Sequence, residues 1–138
     1  MADAAAAGTN TCNSAIEEAC VKYMLLIYLQ EGLLSEAEYQ ACYAESTQLA
    51  HDLHAAGHYL GASPLHPSAT ATSVRVREGK PLITDGPFAE TREQLGGFFM
   101  VEANDLDQAI AIAARIPMAK KGTVEVRPVV EIAHLPTV

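Results

Sequence analysis

Two carboxylates flank a tight turn in Thr84-Asp85-Gly86-Pro87-Phe88-Ala89-Glu90. A carboxylate held at such a turn can act as a general base, which makes Asp85 the candidate catalytic residue. Arginine can grip an anionic partner through paired hydrogen bonds. Arg75 and Arg77 share one face of an alternating stretch, and Glu125 and Arg127 share a face of another. With Glu90 at the turn, Arg75, Arg77, Glu125 and Arg127 form a candidate ligand-binding set suited to a small organic acid. A structural reading stands beside it: Arg75, Glu125 and Arg127 as cross-strand or interface ion pairs, and Asp85 as a cap on its own turn. Asp-Gly-Pro carries turn chemistry at three successive positions, and the aromatic ring of Phe88 is expected to pack against the fold.

Other reactive side chains are read more plainly. His51, His54 and His58 fall three and four apart, a spacing that can hold a metal. No carboxylate or cysteine completes the set, and Gly57 interrupts the helix before His58, so exposed histidines are expected and no metal site. Cys12, Cys20 and Cys42 form an odd set without a CxxC spacing. They are expected to be reduced thiols in a cytoplasmic protein, with Cys42 filling the core. There is no dinucleotide fingerprint, phosphate loop or nucleophile elbow. Gly96-Gly97 precedes a strand pattern, whereas phosphate cradles precede helices. Nothing implies a cofactor.

The elements that must position these residues follow from periodicity. Residues 22–28 are apolar on both alternating faces, the mark of a strand covered on both sides. Ser35 and Glu38 form a capping box for a helix that runs to about Ala56 and stops at Gly57. Tyr39, Cys42, Ser46, Leu49, Leu53 and Ala56 share one of its faces. A short strand covers residues 58–62. Residues 70–77 and 80–84 form a hairpin about Glu78-Gly79, with Val74 and Val76 pointing away from Ser73, Arg75 and Arg77. Residues 91–95 connect as one helical turn, and 96–102 form the next strand. Asn104 or Asp105 caps a second helix with Leu106, Ala109, Ile110 and Ala113 as its buried stripe, ending at Ile116-Pro117. Residues 124–132 form the last strand, with Val124, Val126 and Val130 alternating with Glu125, Arg127 and Glu131. The order, stripped of its hairpin, is βαββαβ, the ferredoxin-like plan of an α+β fold. Two helices cover one sheet face only, so the two-sided first strand calls for a second copy of the chain on the other.

The chain has 138 residues, enough for one domain with a core. Residues 1–20 read as a mobile tail with a short helix from Ser14 to Cys20, and residues 21–138 as the domain. The formal net charge of -8 disfavours nucleic acid and anionic membrane partners. No run approaches the roughly 18 apolar residues of a membrane span, and the first eight residues lack the basic start of a signal peptide.

Several stretches carry a family resemblance. They are residues 22–28, residues 69–75, the Asp85-Gly86-Pro87-Phe88 motif with Gln94-Leu95-Gly96-Gly97-Phe98, Asp105-Leu106-Asp107 with residues 114–117, and residues 124–128. In these the chain resembles the YCII-related family, specifically its DGPF subgroup, over about residues 21–132. The resemblance implies a dimeric α/β barrel. In YCII-type members a His on the first helix and an Asp near the end of the second are the proposed acid–base pair. Those positions fall on Ser46 and Ile116 here, so the pair is absent. The expected function is therefore a small-molecule-binding homodimer with a regulatory or accessory role, which the subgroup's association with sigma-factor-linked genes suggests. The alternative is a small isomerase or dehydrochlorinase acting on an organic acid by proton transfer.

Overall fold

The computed structural model describes residues 20–136. The first strand, β1 (Val21–Leu29), is central. Its side chains alternate: Tyr23, Leu25, Ile27 and Leu29 are buried, while Lys22, Met24, Leu26 and Tyr28 are partly covered. Helix α1 (Glu36–Ala55) leads to β2 (Tyr59–Pro64), then to the hairpin β3 (Thr72–Arg77) and β4 (Lys80–Asp85). Strand β5 (Gln94–Ala103), helix α2 (Leu106–Ala113) and β6 (Thr123–Pro128) complete the chain. The main sheet is antiparallel in the order β2-β5-β1-β6. This mixed α+β arrangement of two α-helices and antiparallel sheets, among the described residues, is compatible with the ferredoxin-like plan.

One sheet face carries the core. Cys42, Leu49 and Leu53 of α1 and Ala109, Ile112 and Ala113 of α2 cluster with Leu25, Ile27, Phe99 and Val101. Excluding that apolar surface from water is the main favourable term of such a fold. The Ser35 capping box is fully formed: Ser35 Oγ accepts from the Glu38 amide at 3.1 Å, and Glu38 Oε1 accepts from the Ser35 amide at 2.8 Å. The opposite sheet face presents Met24 and Leu26 beside Phe98 and Met100 across the β1–β5 pairing, and neither helix covers it.

The β3–β4 hairpin stands apart as a separate two-stranded sheet. Glu78 and Gly79 both take positive φ at its tip (51° and 76°), as a turn matched to strand twist requires. Every residue of both strands except Ser73 is exposed. At its base Gly86 takes φ 94°, a conformation that favours glycine. Its amide donates to the Ala71 carbonyl at 2.7 Å, and its carbonyl accepts from Ser73 Oγ at 2.8 Å.

Several expectations are corrected. Phe88 does not pack: its ring is 81% exposed, because the turn points away from the core. Residues 91–93 form no helical turn, since β5 already begins at Gln94. The second helix buries Ala109, Ile112 and Ala113, while Leu106 and Ile110 face outward; the fully buried Ile116 sets that phase. Strand β6 ends at Pro128, which has no N–H to continue the ladder; the Val129 amide still donates to the Lys22 carbonyl at 2.8 Å, and Val130 beyond it is exposed. His58 is buried, with Nδ1 2.8 Å from the Glu102 carbonyl oxygen. Cys20 is disulfide-bonded rather than reduced. Cys42 is free and buried; burial pushes its thiol up from the ordinary range, so it is a poor nucleophile. The expected helix from Ser14 lies outside the described residues.

Candidate functional site

A cleft of about 880 Å³ opens between α1 and the sheet. Its floor is apolar, formed by Ile27, Leu29, Phe99, Ile116 and Met118. The α1 wall brings Tyr39, Tyr43, Ser46, His51 and His54, positions that recur three to five apart on one side of a helix. Tyr39 and Tyr43 lie with ring centroids 6.2 Å apart, and His54 meets the Tyr59 ring edge-on at 6.2 Å. Apolar floor and sparse polar rim are the usual makeup of a small-molecule site.

Two loops form the mouth. Glu31, just after β1, and Leu65, His66 and Pro67, just after β2, both border it. A carboxylate ties them: Glu31 Oε2 accepts from the Ser68 amide at 2.7 Å, and Oε1 accepts from Ser68 Oγ at 2.6 Å. These bonds hold the Glu31 carboxyl below its ordinary range. Glu36, the first residue of α1, accepts from Gln40 Nε2 at 2.9 Å. The Tyr39 phenol is held above its ordinary range, by burial first and then by Tyr43, Glu31, Cys42 and Glu36. Glu36 and Tyr39 lie one turn apart at the start of α1 and Glu31 in the loop just before it, so all three border the same end of the cleft.

The candidate residues read from the sequence lie elsewhere. Arg75, Arg77, Asp85 and Glu90 are exposed and border no part of the cleft. In the hairpin register Arg75 is opposite Leu82 and Arg77 opposite Lys80, whereas Asp85 is opposite Thr72. Strand alternation then puts Asp85 on the other face from both arginines. Glu125 and Arg127 do meet, at 3.1 Å, but as a pair with each other on the uncovered sheet face. There they border Tyr28, whose phenol is raised by burial and then by the charge and hydrogen bond of Glu125. His51 and His54 border the cleft while His58 does not. Among the described residues no three His, Cys, Asp or Glu converge on a metal position.

Sequence reasoning found Tyr39 and Ser46 on the helix face but missed Glu31, Tyr43 and His66 as site residues. Tyr43 was within reach, one turn beyond Tyr39. Glu31 carries no periodic signal, and its partner is 37 residues away. Ser46 and Ile116, the positions to which the sequence resemblance carried an acid–base pair, both border this cleft, and neither carries an acid–base group.

Fold and site together define a small α+β domain with an antiparallel sheet, helices on one face and a ligand-sized cleft beneath the longer helix. The chain belongs to the YCII-related domain family, whose model matches residues 21–133. It is also similar to an uncharacterised protein of Rhizobium meliloti (strain 1021), at 41% identity over 66 residues covering 46% of this chain. The match spans about half of that relative's length, 53%.

Proposed function

We propose that this protein is a small-molecule-binding homodimer with a regulatory or accessory role, using the cleft beneath α1. The observation that carries the reading is the cleft itself: about 880 Å³, apolar at its floor and polar at its rim, within the size range of small-molecule sites. The absence of acid–base groups at Ser46 and Ile116 supports binding over catalysis. The Asp85-Gly86-Pro87-Phe88 motif supports the DGPF subgroup. The dimer would join two uncovered sheet faces into an α/β barrel, which the apolar centre at Met24, Leu26, Phe98 and Met100 supports. No described helix is long and apolar enough to cross a membrane. A cytoplasmic setting belongs to the same proposal, and the bonded Cys20 is the one observation that speaks against it.

A second reading, proton-transfer chemistry on a small organic acid, is favoured by His51, His54 and His66 along the cleft, since histidine is the commonest general acid–base. In that reading Asp85, Arg75, Arg77 and Glu90 would reach a site only through a second copy, because they project away from their own cleft.

Thermal-shift screening of a metabolite set tests the binding site on wild type, Ser46→Phe and Asp85→Asn. A ligand at 100 times its Kd stabilises by about 2.7 kcal/mol, a shift of several degrees in a chain of this size. Hits should be lost in Ser46→Phe, which fills the cleft, and kept in Asp85→Asn. Equal shifts in wild type and Ser46→Phe would remove the cleft from the binding site. Shifts lost only in Asp85→Asn would move the site to the turn.

A further inference from the structure

Apart from its three histidines, His51, His54 and His66, the charge of the cleft is one-sided. Its lining includes two carboxylates, Glu31 and Glu36, and no lysine or arginine, although the chain has nine such cations. A carboxylate ligand drawn into it would meet no fixed counter-ion, and desolvating an unpaired charge is costly. Both glutamates stand at the end lined by Tyr39 and Tyr43.

That end is built for positive charge. Tyrosine faces attract cations through the ring quadrupole. Glu31 is fixed in place by its two bonds to Ser68. Glu36 engages one oxygen with Gln40, and its other oxygen makes no hydrogen bond among the described residues. The opposite requirement, a surface for an apolar body, is met by the floor.

Resting on the reading of this cleft as a small-molecule site, we propose that its ligand is an apolar amine. The ammonium group sits at Glu36 against the faces of Tyr39 and Tyr43, and the apolar body lies on Ile27, Phe99 and Met118. The ligand class is thus the reverse in charge of the organic acid that the exposed arginines suggested.

A matched series isolates charge from shape: naphthylmethylamine, naphthylmethanol and naphthoate of one isomer, titrated calorimetrically into the full chain. At pH 8 imidazole charge is kept out of the comparison. The amine should bind about tenfold tighter than the alcohol, with naphthoate weakest. Glu36→Gln, checked for wild-type circular dichroism, should weaken the amine about fivefold and leave the alcohol unchanged. Naphthoate binding tighter than the amine would overturn the ligand class while leaving the cleft as a binding site. Equal losses for amine and alcohol in Glu36→Gln would overturn the role of its charge. Absence of binding by all three would remove the small-molecule reading and the ligand class together.

Discussion

Glu31 shows how one side chain joins parts of the chain that share no local pattern. Its two bonds to Ser68 fasten the loop after β1 to the loop after β2, and both loops border the cleft. The ionised carboxylate is the form that accepts both bonds, so its folded pKa lies below the ordinary value of 4.5. A group depressed on folding contributes stability above its unfolded pKa and loses it as pH falls through the folded one. Glu31→Gln should therefore be less stable than wild type at pH 6 to 7, and the gap should close as pH falls below about 4.5. Urea unfolding along a pH series measures this. A gap independent of pH would show that Glu31 acts through shape rather than charge. Amide exchange at Ser68 gives a local readout, since its N–H donates to Glu31: exchange there should quicken in the variant even where global stability changes little.

At the scale of elements, α1 is the part whose sequence and structure agree most closely. Its start is written in Ser35 and Glu38, its stop in Gly57, and its buried face in Cys42, Leu49 and Leu53. Ser35→Ala removes the acceptor for the Glu38 amide and should cost about 1 kcal/mol. Leu53→Ala leaves a hole beneath the helix, where Leu53 is 0% exposed, and should cost about 3 kcal/mol. Denaturant melts rank the two, and a Leu53→Ala loss no larger than that of Ser35→Ala would mean α1 is held by its end rather than its face. Local signals of this kind, caps and periods, were readable, and so was the central place of β1 in the sheet. The phase of α2 was not, because Ile110 and Ile112 are equally apolar in the sequence and only packing around Ile116 chooses between them. The cleft was not readable either. Its lining is gathered from β1, α1, β2 and β5, far apart in the chain, and its two mouth loops meet through Glu31. The conspicuous residues, Asp85 and the hairpin arginines, drew attention by type, but type does not report that their hairpin stands clear of the core.

The molecule as a whole leaves many large apolar side chains exposed on the described residues, among them Val74, Val76, Ile83 and Phe88. The helices cover one sheet face; the other carries Met24, Leu26, Phe98 and Met100 at its centre. The hairpin adds Val74, Val76 and Ile83, each at least 60% exposed, and its turn adds Phe88. A two-stranded hairpin with no cover is marginal in water, so the arm and the open face would both gain from the second copy of the proposed dimer. Charge opposes that association, because each copy carries a formal -8. A dimer held by apolar contact against net repulsion should tighten as salt screens the repulsion, the reverse of a dimer held by ion pairs. Light scattering at micromolar concentration should give twice the chain mass, with a Kd that falls between about 0.05 and 0.5 M salt. Leu26→Asp should raise that Kd at least about tenfold while the circular dichroism of the α+β fold persists, since Leu26 faces away from the helices. A monomer at every salt concentration would end the sheet-face dimer. A dimer that salt dissociates would replace it with one built on the charged rim, where Glu125 and Arg127 would exchange their pairing with each other for pairing across the interface.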